Sequence, residues 1–190
     1  MNTRILVLLS ASAVFTNAQS CGRECLRGLI DNYLLGMTHH DAAKLNVTPA
    51  VKFTENGEAM KLGEGLWKTA GSVTYKLYAL DPQGNAAAVE AVVKENGEQT
   101  TNVAVPAMNI PAASASEQLD KGFFKGLAVG KRRFPVVDVD HGLVLGIGLM
   151  STPGPDGVLL AEMFKVTGGK IRQIQAVMVN HSKTGTTGWN

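Results

Sequence analysis

This 190-residue chain has few side chains suited to metal or thiol chemistry. It contains four histidines and two cysteines: His39, His40, His141, His181, Cys21 and Cys25. No histidine pair has HxH or HExxH spacing, and neighbours on a helix point about 100° apart, so we predict no metal site. The cysteines lack CxxC spacing, which argues against a redox role. Carboxylates and phenols therefore remain as the reactive groups.

Three such groups stand out by position. Tyr33 lies on the apolar face of a predicted helix, where the alternative is a core tyrosine with a satisfied hydroxyl. Glu55 precedes Asn56 and Gly57 in a turn, where it could equally be solvated or bonded to backbone N–H groups. Glu162 interrupts an apolar strand and could pair with a neighbouring Lys or Arg, or act as an acid if the strand register differs by one residue.

Motifs for cofactors and nucleic acids are missing. The sequence contains no GxGxxG, no P-loop and no GxSxG elbow, so we predict no nucleotide cofactor and expect the protein to work without any. The formal charge is only +2, which leaves no basic surplus for nucleic-acid binding.

The N-terminus predicts secretion. Residues 1–18 have a short start with one charge, an apolar run and small residues before Ala18, so we expect a cleaved signal peptide and one domain over residues 19–190. In an oxidising compartment Cys21 and Cys25 are expected to pair, and the sequons at Asn46 and Asn180 predict glycosylation. No later apolar run is long enough to span a membrane.

The mature chain has an α+β pattern. Apolar residues at helical spacing from Leu26 to Met37 predict one long helix, and a short helix is expected within residues 63–70. Alternating residues predict strands at 51–54, 73–79, 87–94, 100–105, 134–139, 143–150, 158–166 and 171–179. Residues 106–117 read as a loop and 119–129 as weakly helical.

Four segments carry a resemblance to known proteins. They are residues 31–34 (DNYL), 53–57 (FTENG), 62–67 (LGEGLW) and 160–166 (LAEMFKV). On these segments the chain resembles a family of secreted fungal proteins of unassigned activity. More broadly, the order of a helix, a short strand, a Glu-bearing turn and a long curved sheet that ends in residues 162–171 resembles nuclear transport factor 2-like proteins, which include ketosteroid isomerases, SnoaL-like cyclases and scytalone dehydratase. The resemblance implies a cone-shaped, strongly curved, mostly antiparallel sheet whose long N-terminal helix and short helices close an apolar pocket.

The resemblance also implies roles for individual residues. Tyr33 falls at the isomerase tyrosine that donates a hydrogen bond to the developing enolate, and Glu55 falls at the carboxylate that moves the proton. Ala161 stands where the isomerases have a second acidic donor, with Glu162 beside it on the opposite face. Ile174, Ala176 and Met178 are expected to point inward on the last strand. The predicted substrate contacts are Trp67, Asn56, Met163, Ile174 and Met178.

We therefore expect a cofactor-independent isomerase, dehydratase or cyclase that transfers a proton next to a carbonyl. Its substrate would be an apolar small molecule of fungal secondary metabolism, such as a polyketide or maleidride intermediate. The alternative is a non-catalytic carrier of a hydrophobic ligand with the same fold. A third reading is a protein that forms a homodimer through the open face of its sheet.

Overall fold

A computed structural model describes residues 3–9, 21–96, 126, 128–151, 156–182 and 184–188. The secondary structure is α+β, with mostly antiparallel sheets and one long N-terminal helix, as predicted. The elements are β1 (Thr3–Leu9), α1 (Arg23–Thr38), β2 (Phe53–Glu55), β3 (Glu58–Met60), β4 (Ala70–Asp81), β5 (Ala86–Glu95), β6 (Ala128–Asp138), β7 (Leu143–Ser151), β8 (Asp156–Thr167) and β9 (Lys170–Ser182). Single 3₁₀ turns form at Ala42–Lys44 and Gly65–Lys68.

Helix α1 forms where the apolar spacing predicts it. Its buried side chains are Leu26, Ile30, Tyr33, Leu34 and Met37, which recur every three or four residues along one face. The predicted disulfide between Cys21 and Cys25 is present at its N-terminus, with the two Cα atoms 5.3 Å apart.

The C-terminus of α1 is closed by an unusual residue. His40 has a positive φ of 56°, a conformation that usually falls to glycine. The Asp41 N–H then bonds to the Gly36 carbonyl at 2.9 Å, the reach-back bond of a Schellman motif. The His40 ring Nδ1 lies 2.5 Å from the Trp67 carbonyl oxygen, so the turn is tied to the 3₁₀ segment that carries Trp67.

The strands form three antiparallel groups. One sheet has the order β1-β5-β4, a second has the order β6-β7-β8-β9, and β2 and β3 form a separate hairpin. The long hairpins β4–β5 and β8–β9 both follow the prediction from alternation and turn residues.

Two hydrophobic cores lie on the two faces of the β4–β5 hairpin. Leu80 and Val89 point toward α1 and belong to the first core. Ala79 and Ala88, one residue away on the same strands, point to the second core against Leu145 of β7. The layers therefore run from helix to sheet to sheet.

Some predictions differ from the structure or lie outside its described residues. The prediction of a weak helix over 119–129 is wrong at its C-terminal end, because Ala128 and Val129 are the first residues of strand β6. The strand predicted at 100–105 and the loop at 106–117 lie outside the described residues. Residues Thr3–Leu9, part of the predicted signal peptide, pair with β5, and cleavage after Ala18 stays a prediction. Among the described residues, no helix is long and apolar enough to cross a membrane.

Candidate functional site

The structure places Tyr33 and Trp67 in direct contact beneath α1. The indole Nε1–H of Trp67 donates a hydrogen bond of 2.9 Å to the Tyr33 hydroxyl oxygen, and the two rings meet edge to face with centroids 5.1 Å apart. Both side chains are buried, at 3% and 1% exposure. Because the indole occupies a lone pair of the phenol, the O–H proton of Tyr33 is left to donate elsewhere.

Glu55 joins this group from the end of β2. Its Oε2 accepts a hydrogen bond from the Leu66 backbone N–H at 3.0 Å. A Cβ atom on Gly65 would collide with the Glu55 carboxylate, and Gly65 also has a φ of +64°. Only glycine at position 65 therefore lets the carboxylate approach the backbone of the Gly65–Lys68 turn.

Burial, together with the nearby Glu55 charge, raises the pKa of Tyr33 to about 12. The phenol therefore remains protonated at neutral pH and can donate a hydrogen bond without carrying charge. We call these three residues the Tyr33 cluster (Tyr33, Glu55 and Trp67). A proton transfer needs a base and a hydrogen-bond donor, and the cluster contains a carboxylate and a protonated phenol. The same contacts also serve as a structural tie between α1, β2 and the 3₁₀ turn.

Asn56 does not join the Tyr33 cluster. It is exposed at the tip of the β2–β3 hairpin with a φ of 53°, and Gly57 follows with a φ of 84°. This pair of left-handed residues is what an Asn-Gly hairpin turn requires. The turn geometry is a sufficient reason for asparagine at this position.

A separate cavity of about 380 Å³ opens between β4 and strands β7 to β9. Its apolar floor is formed by Leu77, Leu143 and Met163, and its other lining residues are Tyr75, Tyr78, His141, Lys165, Gln173 and Gln175. The floor residues belong to or pack against the second core, whereas Tyr33 belongs to the first. The apolar floor of the cavity and the Tyr33 cluster thus lie on opposite faces of the β4–β5 hairpin.

The predicted contacts on β8 and β9 divide between two faces. Met163 lines the cavity, as expected. Ile174 and Met178 were expected to point inward, and this is wrong: they are 47% and 46% exposed on the outer face. Ala176, expected to point inward with them, pairs with Glu162 and shares this outer face.

A one-residue irregularity in the β8–β9 ladder explains the difference. Val166 pairs with Ile171, but Lys165 pairs with Gln173, so Arg172 is an extra residue on β9. An added residue turns every later side chain of the strand to the other face. Met163 is consequently opposite Gln175 rather than Ile174.

Glu162 faces away from the cavity, in the orientation that the alignment gave it. Its neighbours across the strands are Gly146 and Ala176, and burial raises the pKa of its carboxyl. Ala161, one residue earlier, packs against the second core. Among the described residues no ion pair with Lys or Arg is formed by Glu162, so the expected cross-strand pair is not seen there.

Polar contacts hold the rim of the cavity. The Tyr75 hydroxyl donates to Gln175 Oε1 at 3.2 Å. The Tyr78 hydroxyl donates to Asp31 at 2.5 Å, and the Lys76 ammonium contacts the same carboxylate at 2.7 Å. These hydrogen bonds and the Lys76 charge outweigh burial and lower the pKa of Asp31.

At the far end of the cavity, Asp138 positions the turn that carries His141. Both of its carboxylate oxygens receive hydrogen bonds from Arg23 at 2.8 Å, and Oδ1 also accepts the His141 backbone N–H at 3.1 Å. The Lys165 ammonium donates to the His141 carbonyl oxygen. The sequence gives little signal for this arrangement, because residues 138–142 read as an ordinary solvated turn.

The predicted glycosylation sites lie on the surface. Asn46 and Asn180 are both exposed, as a glycosylated sequon requires. Over the part of the chain that the structure describes, no three His, Cys, Asp or Glu side chains are grouped to hold a metal ion.

Comparison with known proteins adds one family. No curated protein and no solved structure matches the chain. Residues 81–178, more than half of the chain, match a domain of unknown function. This range contains six of the nine cavity residues and neither Tyr33, Glu55 nor Trp67. The chain therefore belongs to the family of the domain of unknown function DUF8021.

Proposed function

We propose that this protein binds an apolar small molecule in the cavity between β4 and strands β7 to β9. The observation that carries the proposal is the lining itself: an apolar floor of Leu77, Leu143 and Met163 beneath a rim of tyrosines, glutamines and one lysine. Ligand sites in proteins commonly have this composition, with apolar walls that supply binding energy and a few polar groups that orient the ligand. The volume of about 380 Å³ lies within the usual range of such sites.

We also propose that the fold is nuclear transport factor 2-like, with a cone-shaped sheet around the ligand. Its support is the order of elements: a long N-terminal helix, the short β2–β3 hairpin and then long antiparallel strands. The resemblance of residues 162–171 to that superfamily falls on β8 and the start of β9, and β8 carries Met163 of the cavity floor.

Fluorescence of N-phenyl-1-naphthylamine tests the binding proposal. The uncharged probe is expected to bind saturably with enhanced emission. Gln175→Trp, which fills the cavity from β9, should abolish the enhancement. Ile174→Trp places the same bulk on the exposed face of the same strand and should leave it unchanged. Equal probe binding by both variants, each shown to be folded by circular dichroism, would exclude this cavity as the site.

A second candidate is catalysis at the Tyr33 cluster, with Glu55 as the base and Tyr33 as the hydrogen-bond donor. The observation in its favour is that Trp67 leaves the phenol proton free while burial and the Glu55 charge raise the pKa of Tyr33. The reaction would be isomerisation, dehydration or cyclisation of an apolar carbonyl compound of fungal secondary metabolism, without a cofactor. Against it stands the burial of Tyr33 in the first core, on the far side of the hairpin from the cavity.

Metabolite profiling of a deletion strain separates the two candidates. Complementation with Glu55→Gln or Tyr33→Phe should fail to restore the missing product if these residues are catalytic. Glu58→Gln, an exposed change in the same hairpin, is the matched control and should restore it. Full product formation by both cluster variants would refute the chemistry and leave the binding proposal standing.

We further propose that the protein is secreted after signal-peptide cleavage and forms a homodimer through the outer face of the β6–β9 sheet. Exposed apolar side chains on that face, including Phe134 at 61% and Ile174 at 47%, support the pairing. Light scattering of the secreted protein should give twice the mass of one chain. The Phe134→Lys variant should give the mass of a single chain. A native mass equal to one chain would refute the dimer, and N-terminal sequencing that begins at Met1 would refute the cleavage.

A further inference from the structure

The charge balance of the cavity points to one kind of ligand. Among the described residues, its lining contains one permanent cation, Lys165, one histidine, His141, and no Asp or Glu. The other lining residues that can form hydrogen bonds are two tyrosines and two glutamines. A cavity with a cation and no acidic lining residue favours a ligand with a negative charge.

Two carboxylates bonded to residues of the cavity lining are already engaged. Asp138 is held by both guanidinium nitrogens of Arg23 at 2.8 Å. Asp31 is bound by Lys76 at 2.7 Å and by the Tyr78 hydroxyl. Among the described residues no acidic side chain forms an ion pair with Lys165, so its charge is not neutralised there.

The position of Lys165 suits a group at one end of an elongated molecule. It lies on β8 two residues after Met163 and on the same face, with Leu143 and Gln173 as its cross-strand neighbours. Its ammonium donates one hydrogen bond to the His141 carbonyl, which holds it at the end of the cavity. With respect to the described part of the chain, two of its three N–H donors remain for a ligand.

We infer that the ligand is an amphipathic carboxylate, whose apolar body lies on the Leu77, Leu143 and Met163 floor and whose carboxylate binds Lys165. This inference rests on the proposed binding function and adds the ligand class. A charge-assisted hydrogen bond at a partly buried site is worth about 1.5 to 3 kcal/mol, so removal of the cation should weaken carboxylate binding about tenfold or more.

Displacement of N-phenyl-1-naphthylamine by decanoate and by decanol provides the test. The two competitors share one alkyl chain and differ in the charged group. Decanoate should compete about tenfold more strongly than decanol with the native protein. The difference should vanish in Lys165→Met and persist in Lys170→Met, where the lysine is exposed at the start of β9 and away from the cavity.

Two results would overturn the inference while the binding function stands: equal competition by the two compounds on the native protein, or a preference for decanoate that survives in Lys165→Met. Failure of the probe itself to bind the native protein would refute the proposed function and the inference with it.

Discussion

Asp138 is the residue whose removal should be most informative for stability. Its side chain is fully inaccessible to solvent. It accepts two hydrogen bonds from Arg23 at 2.8 Å, one from the Leu80 backbone N–H at 3.0 Å and one from His141 at 3.1 Å. One carboxylate thus joins the start of α1, the end of β4 and the turn beside the cavity.

The size of the effect follows from the pKa of Asp138. The Arg23 guanidinium and the two backbone N–H groups outweigh burial and lower this pKa from 3.8 to about 2. The difference corresponds to about 2 kcal/mol of stability at neutral pH. Because the folded-state pKa is the lower one, this contribution is complete above about pH 4 and is lost as the pH falls toward 2.

Urea unfolding of Asp138→Asn tests this reasoning. The neutral amide leaves Arg23 with only the more distant and exposed Asp140 as counter-charge, so the free energy of unfolding at pH 7 should fall by about 3 kcal/mol. The gap between native and variant protein should narrow by about 2 kcal/mol between pH 5 and pH 2.

Asp140→Asn is the matched control for Asp138→Asn. Asp140 also contacts Arg23, at 3.4 Å, but its side chain is 67% exposed. Its replacement should therefore change stability by less than about 1 kcal/mol. A loss at Asp138 no larger than at Asp140, or a gap that does not depend on pH, would refute the assignment of stability to the buried carboxylate.

Two further changes test the Tyr33 cluster as a structural unit. Tyr33→Phe removes the acceptor of the buried Trp67 N–H and should lower the free energy of unfolding by about 1 to 2 kcal/mol in urea; an unchanged midpoint would contradict the importance of that bond. Gly65→Ala should cost about 1 to 3 kcal/mol by thermal unfolding, since it combines a strained φ with a collision against Glu55. The control Gly28→Ala, on a helix with open space around it, should stabilise slightly, and equal melting temperatures for the two variants would contradict the strain at Gly65.

The parts of the fold that are local could be predicted from the sequence. Helix α1 follows from the spacing of Leu26, Ile30 and Tyr33, and the β8–β9 hairpin follows from alternation around a Gly-Gly turn. The links of Tyr33 to Trp67 and of Glu55 to the Leu66 backbone N–H did not follow from spacing. A family resemblance suggested Tyr33 and Glu55 as a pair, and in the structure both are hydrogen-bonded to the Gly65–Lys68 turn.

The cavity could not be predicted in the same way. The extra residue Arg172 leaves no mark in the alternation pattern, yet it exchanges Ile174 for Gln175 at the cavity. Lys165 and Tyr75 meet there only because two sheets pack against each other, which is long-range information that no single segment contains. From the sequence alone, polar residues on a strand are expected to face solvent. Only the packing of the second sheet shows that some of them line a cavity.

Strand β1 has a consequence for the timing of export. Residues Thr3–Leu9 pair along the edge of β5, from Val93 to Ala87, and the same residues belong to the predicted signal peptide. If these residues are the signal peptide, a precursor that folds in the cytosol would hold its targeting sequence in the β1–β5 ladder, where targeting factors could not bind it. If the protein is secreted as proposed, translocation would either precede folding or require strand β1 to detach from β5. The proposed cleavage after Ala18 would then be irreversible, because it would remove the strand that pairs with seven backbone positions of β5.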